Sequence, residues 1–135
     1  MNIKTMAEEN KSYIIEKRRL FHAIAEPSGE EKNTSEEIKT ALEDMKIPFK
    51  ACHDCYGIVG EIQGKKGKTV ALRADIDALH TKENTGLPFS AKNGIMHSCG
   101  HDTHIAMLLG AAKILNNCRD ELNGSVRLIF QPQEE

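Results

Sequence analysis

The sequence predicts an α/β layered fold, and two observations carry that expectation. Its apolar segments run in the order helix, helix, strand, strand, helix, strand, an alternation typical of helices packed on a sheet. The strand candidates also turn polar at their C-terminal ends, where open α/β sheets hold their ligands.

The first helix covers residues from about 7 to 25. Tyr13, Ile14, Leu20, Phe21 and Ile24 recur near helical spacing, with the Lys17 stem filling the gap and charges between them. Pro27, Ser28 and Gly29 break it. Thr34 or Ser35 is placed to cap a second helix, with Ile38, Ala41, Leu42 and Met45 as its inner stripe and Pro48 as its stop. Residues 56–64, YGIVGEIQG, alternate and hold β-branched side chains, so they read as a strand. GKKGK at 64–68 is a turn. Residues 69–77, TVALRADID, form an apolar run that becomes polar at its end. A loop rich in Asn, Gly, Pro and Ser spans about 78–100. A strong helix follows over about 102–116, with Ile105, Leu108, Leu109, Ala112 and Leu115 as its buried stripe. GSVRLIFQP at 124–132 is the last strand. There is no internal repeat and no low-complexity segment.

A chain of 135 residues fits one domain with a real core. Hydrophobic residues make up 39% and aromatics only 4%, so that core must be aliphatic. A net charge of −2 offers nucleic acid no basic field. No apolar run approaches a membrane span, and MNIKTMAEENK lacks the apolar stretch of a secretory signal. A cytoplasmic protein is the resulting expectation. Its four cysteines are then expected as thiols or ligands rather than disulfides.

Three polar clusters fall on the edge where strands end. In HSCGHD, Cys99 and His101 flank Gly100. Residues two apart in a loop can face one side, and a glycine lets the backbone turn tightly around an ion. Thiolate and imidazole are both good ligands for Zn²⁺ and similar ions, while Asp102 and His104 can bridge or fix the imidazole tautomer. On composition alone, His and Cys lining the start of a helix is an equal reading. In QPQEE, one of Glu134 and Glu135 can bind an ion while the other faces a water as general base; taken alone, the pair also reads as solvated charge. In RADID, Arg73, Asp75 and Asp77 alternate and so share a strand face, either as a salt-bridged end or as support for a site or a bridging carboxylate. CHDC at 52–55 has CxxC spacing, but Cys99 and Cys118 do not form a second pair and the motif precedes a strand, so a structural role is expected. His22 and His80 are isolated, as surface or core histidines would be.

Taken together, ALRADIDALHTKENTGLPFSAKNGIMHSCGHDTHIAMLLGAAKIL and GSVRLIFQPQEE resemble the metal-dependent amidohydrolases of the N-acyl-amino-acid and hippurate hydrolase group, within the aminoacylase and carboxypeptidase-like dinuclear metallopeptidases. RRLFHAIAEPSGEEKNT at 18–34 resembles that family's opening helix and turn. The resemblance implies a zinc-peptidase-like catalytic fold, a central mixed sheet flanked by helices. It implies Cys99, His101 and Glu135 as metal ligands, Glu134 as general base, and Asp75 as outer support, with His97, Asp102 and His104 in the same loop motif. It further implies two divalent ions, Zn²⁺ by default with Mn²⁺, Co²⁺ or Ni²⁺ also suited, and hydrolysis of the amide of an N-acyl amino acid. His80 and Ala25 stand where the family usually has proline, which puts local turns rather than ligands in question.

Family members are much longer, so residues 1–135 are expected to be the N-terminal part of a truncated catalytic domain, with an open sheet edge and little or no activity alone. The intact form is expected to be a homodimer, or to need a complementing C-terminal chain. The other class left open is a non-catalytic metal-binding or interaction module.

Overall fold

The computed structural model describes residues 1–135. In chain order it contains α1 (Ile3–Glu9), α2 (Lys11–Ala23), α3 (Lys32–Asp44), β1 (Phe49–Ala51), β2 (Ile58–Gln63), β3 (Lys68–Asp75), α4 (His101–Asn117), a short 3₁₀ turn (Arg119–Glu121) and β4 (Gly124–Gln131). The strands form one mixed sheet in the order β1-β2-β4-β3. β2 runs antiparallel to β1 and to β4, and β3 runs parallel to β4.

The predicted α/β order is present, with local differences. The first helix is two, because Asn10 ends α1 and its side-chain amide donates to the Met6 carbonyl at 2.8 Å. Side-chain bonding of this kind competes with a continuous helical ladder. Thr34 and Ser35 do not cap α3 but lie buried within it. The cap comes from Glu26, whose carboxylate accepts from Asn33 N–H at 3.1 Å and Thr34 N–H at 2.6 Å. Strand β1, only three residues long, carries no periodicity by which a sequence reading would find it.

One apolar cluster joins the layers. Ile58 and Ile62 of β2, Leu128 and Phe130 of β4 and Ala74 of β3 face Ile38 and Leu42 of α3, Ile105 and Leu109 of α4, and Phe21 of α2. Each such fully buried Ile, Leu or Phe stabilises the fold by roughly 1.5–3 kcal/mol. The opposite face of the sheet is polar in part, with Arg127 and Glu61 paired at 3.2 Å across β4 and β2. β3 is an edge strand whose first four residues are exposed.

What positions the site is the β3–α4–β4 crossover. Because β3 and β4 are parallel and in register, Asp75 lies beside Gln131. The continuations of the two strands, Ile76–Asp77 and Pro132–Glu135, therefore emerge on one edge, and the N-terminus of α4 arrives there too. The cysteine expectation needs one correction. Cys52 and Cys55 form a disulfide, Cα atoms 5.4 Å apart, while Cys99 and Cys118 are free. The turn between β1 and β2 brings the pair together, closed by Cys52 N–H donating to the Gly57 carbonyl at 2.8 Å. No helix is long and apolar enough to cross a membrane.

Candidate metal centre

Gly100 precedes α4 with φ of +88°, a left-handed conformation that suits glycine. Its carbonyl accepts from Thr103 N–H at 3.0 Å. The turn leaves Cys99 exposed on one side and sends His101, the first residue of α4, inward to 2% exposure.

The geometry around His101 fixes its tautomer. Nδ1 lies 2.8 Å from the Asp77 backbone carbonyl, which can only accept, so Nδ1 carries the proton. In the neutral ring Nε2 is then the lone-pair nitrogen. Around it stand Asp75 Oδ2 at 3.4 Å, Glu134 Oε2 at 3.5 Å and Glu135 Oε1 at 3.6 Å. A lone pair facing three carboxylate oxygens is repulsive unless a cation sits among them. Zn–N and Zn–O distances of about 2.0–2.2 Å put neighbouring ligand atoms of a tetrahedron about 3.4 Å apart. The spacing thus fits a divalent ion, and thiolate, imidazole and carboxylate form a donor set suited to one.

Three overlapping sets bring ligand atoms within 4.8 Å of one another: Cys99, His101 and Glu135; Asp77, His101 and Glu134; and Asp75, His101 and His104. The loop before α4 and the tail of β4 therefore meet at one point. His104 Nδ1 bonds Asp75 Oδ1 at 2.5 Å, and its ring stacks on that of His101 with centroids 5.6 Å apart. Burial pushes the Asp75 carboxyl up, but hydrogen bonding, led by His104, outweighs it and holds it below the usual range. Glu135, hydrogen-bonded to the Cys99 thiol and negatively charged beside it, raises that thiol.

Asp77, named at the strand end but not among the residues the resemblance implies, holds His101. Its backbone carbonyl and Oδ1 both face His101 Nδ1, the latter at 3.2 Å. Its Oδ2 accepts from Ser28 Oγ at 2.5 Å and from Glu135 N–H at 2.8 Å. Burial pushes this carboxyl up, and those bonds outweigh it, lowering it overall. The i, i+2 alternation of Asp75 and Asp77 was the signal available in the sequence.

Asp102 points elsewhere. Its Oδ2 accepts from Arg18 Nε at 3.0 Å and meets His22 Nδ1 at 2.8 Å. His22 is no isolated histidine: its Nε2 lies 2.7 Å from Glu83 Oε1, and Glu83 Oε2 accepts from Ala91 N–H at 2.7 Å. This buried chain ties the 78–100 loop to α2 and to the base of α4. Glu83 is held down at about 2: burial opposes ionisation, and the bonds from His22, Thr85 and Ala91 overcome it. His97 is buried with neither ring nitrogen partnered, and burial pushes it down to about 4. His80 is exposed and takes no part.

Residues 71–135 match the family described as peptidase family M20/M25/M40. Along 98% of its length the chain is 46% identical to thermostable carboxypeptidase 1 of Saccharolobus solfataricus, of which it covers 35%. It is 44% identical to N-acetyl-L-cysteine deacetylase of Bacillus subtilis, covering all of this chain and 32% of that protein. Its structure superposes on the crystal structure of the Bacillus subtilis YXEP protein, described as a dinuclear metal binding peptidase from the M20 family, with TM-score 0.86 and 42% identity over 96% of this chain and 36% of that one. The chain spans about a third of the length of the relatives it matches. The strand ends, the HSCGHD loop and the Glu-Glu pair converge as described, residues 71–135 carry the match to peptidase family M20/M25/M40, and relatives of that kind align along the whole chain.

Proposed function

We propose that these residues form part of the centre of a metal-dependent hydrolase acting on the amide bond of N-acyl amino acids. The observation that carries this is the convergence of the Cys99, His101 and Glu135 side chains, whose ligand atoms lie within 4.8 Å of one another. Cys99, His101 and Glu135 would hold a divalent ion. Zn²⁺ suits this mixed set best, and Mn²⁺, Co²⁺ or Ni²⁺ would also fit; a second ion follows by likeness to the dinuclear relative. A bound ion supplies Lewis acidity, favouring ionisation of water and polarising the scissile carbonyl.

The chain's own residues do the rest. The Glu134 side chain is 38% exposed, with Oε2 3.5 Å from His101 Nε2. It takes the proton of the attacking water and delivers it to the leaving nitrogen. Asp77 holds His101 in the tautomer that turns Nε2 toward the site. Asp75 and His104, bonded to each other, flank the same nitrogen. Asp102 supports the loop from behind through Arg18 and His22.

We further infer that residues 1–135 by themselves turn over little. Support comes from their share of the relatives' length, about a third. A chimera tests the function directly: these residues replace the matching third of the B. subtilis N-acetyl-L-cysteine deacetylase. The expected result is deacylation of N-acetyl amino acids, reduced about 10²–10⁴-fold by Glu134→Gln, the usual range for losing a general base. A folded, metal-loaded chimera that does not hydrolyse such substrates would contradict the proposal. Clear turnover by residues 1–135 alone, abolished by Glu134→Gln, would overturn the inference about the isolated chain.

A further inference from the structure

Glu31 is fully buried, at 0% exposure, and 102 residues distant in sequence from its one side-chain partner. It stands at the N-cap position of α3, yet its side chain does not cap that helix, since Glu26 does so. Its Oε1 accepts instead from the backbone N–H of Gln133 at 2.9 Å, and its Oε2 has no partner. Burying a carboxylate with one oxygen unpaired is costly. A single backbone hydrogen bond is poor compensation, so what the arrangement secures is geometry.

That geometry lies next to the candidate centre. Gln133 has φ of +54°, the left-handed region that non-glycine residues enter at a cost. Gly29 leaves room for its side chain: a Cβ there would come within 3.3 Å of Gln133 Nε2. On the far side of Glu134, the Glu135 N–H donates to Asp77 Oδ2 at 2.8 Å. Two buried carboxylates therefore hold the backbone N–H groups on either side of Glu134. Between these anchors the chain turns, and the carboxylates of Glu134 and Glu135 both come to face His101 Nε2.

We propose that Glu31 is a positioning residue for the Glu134–Glu135 pair: by gripping the Gln133 N–H it fixes the left-handed turn that aims both carboxylates at the metal centre. This rests on reading Cys99, His101, Glu134 and Glu135 as that centre.

The test is Co²⁺ titration of the purified chain, followed by the thiolate-to-cobalt absorption that Cys99 would give, with circular dichroism as the check on folding. Glu31→Gln keeps an accepting oxygen and should bind Co²⁺ like the unaltered chain. Glu31→Leu removes it and should weaken binding about tenfold, the scale for loss of an outer support. Gln133→Pro removes the donor and forbids the positive φ, leaving Glu31 untouched; it should match Glu31→Leu. Gln133→Gly keeps both and should bind normally. Because Glu31 acts through Glu135, Glu31→Leu added to Glu135→Ala should cost nothing further. Should Glu31→Leu not fold, Gln133→Pro and Gln133→Gly decide the matter. Unweakened binding in the folded members of the Glu31→Leu and Gln133→Pro pair, or full additivity with Glu135→Ala, would overturn the proposal while leaving the metal centre standing. No Co²⁺ binding by the unaltered chain would overturn the centre itself, and this proposal with it.

Discussion

His101 donates from Nδ1 to the backbone carbonyl of Asp77 at 2.8 Å, and Asp77 in turn accepts from the Glu135 N–H at 2.8 Å. One residue thus orients a histidine on the α4 side and a glutamate on the β4 side of the candidate centre. Asp77→Ala removes the carboxylate grip on both while leaving the backbone carbonyl. Divalent-metal affinity should fall about 10–100-fold, the range seen when such supporting hydrogen bonds are lost. Competition with a chromophoric chelator measures it.

Gly100 sits at φ +88° with nothing within 4 Å of where a Cβ would be. Gly100→Ala therefore meets backbone strain without a clash, and should lower stability by about 1–2 kcal/mol in urea unfolding. Since the same turn sets Cys99 against His101, metal affinity should fall with it.

The Glu83 carboxylate, bonded to His22, Thr85 and Ala91, is held at about 2 against an ordinary 4.5. Its pKa is depressed in the folded state, so its contribution is present above about 4.5 and is lost as pH falls toward 2. The chain should lose thermal stability progressively across that window. Glu83→Gln should have a lower Tm at neutral pH and a flatter Tm profile between pH 4.5 and 2. Parallel profiles for the two proteins would show that the clamp contributes nothing.

Leu109 is fully buried at the junction of α4 with the sheet. Leu109→Ala should cost about 2–5 kcal/mol, the range for a buried leucine truncated in a core that relaxes only partly. Chemical denaturation measures this, and a loss below 1 kcal/mol would mean that α4 is not seated as described.

Much of this was legible in the sequence because it is local. The apolar stripe of α4, with Ile105, Leu108, Leu109 and Ala112, marks that helix to within a residue at each end. The run ending RADID and the run ending QPQEE identify β3 and β4, and their parallel pairing follows once a helix joins them. Cys99, His101, Glu134 and Glu135 were legible as chemistry. In the fold, Cys99, Glu134 and Glu135 each bring a ligand atom within 4.8 Å of one on His101.

What was not legible is long-range. His22 reads as an isolated histidine, since nothing near it in sequence shows that Glu83 and Asp102 lie on its two nitrogens. Asp102 belongs by position to the metal loop, yet one residue along a helix rotates a side chain by about 100°, which turns it from His101 toward α2. Asp77 was visible as a carboxylate, but its hold on His101 is partly through a backbone carbonyl, which no residue type encodes. Glu31 lies in an ordinary run of charges, GEEK, and only its burial separates it from its neighbours.

The central claim is that Cys99, His101 and Glu135 share one ion. X-ray absorption at the zinc edge of the Zn²⁺-loaded chain tests it most directly, compared with Cys99→Ser. The account predicts one sulfur scatterer at about 2.3 Å beside a nitrogen and oxygen shell near 2.0–2.2 Å, with the sulfur lost in Cys99→Ser. A shell of nitrogen and oxygen alone, identical in the two proteins, would contradict it.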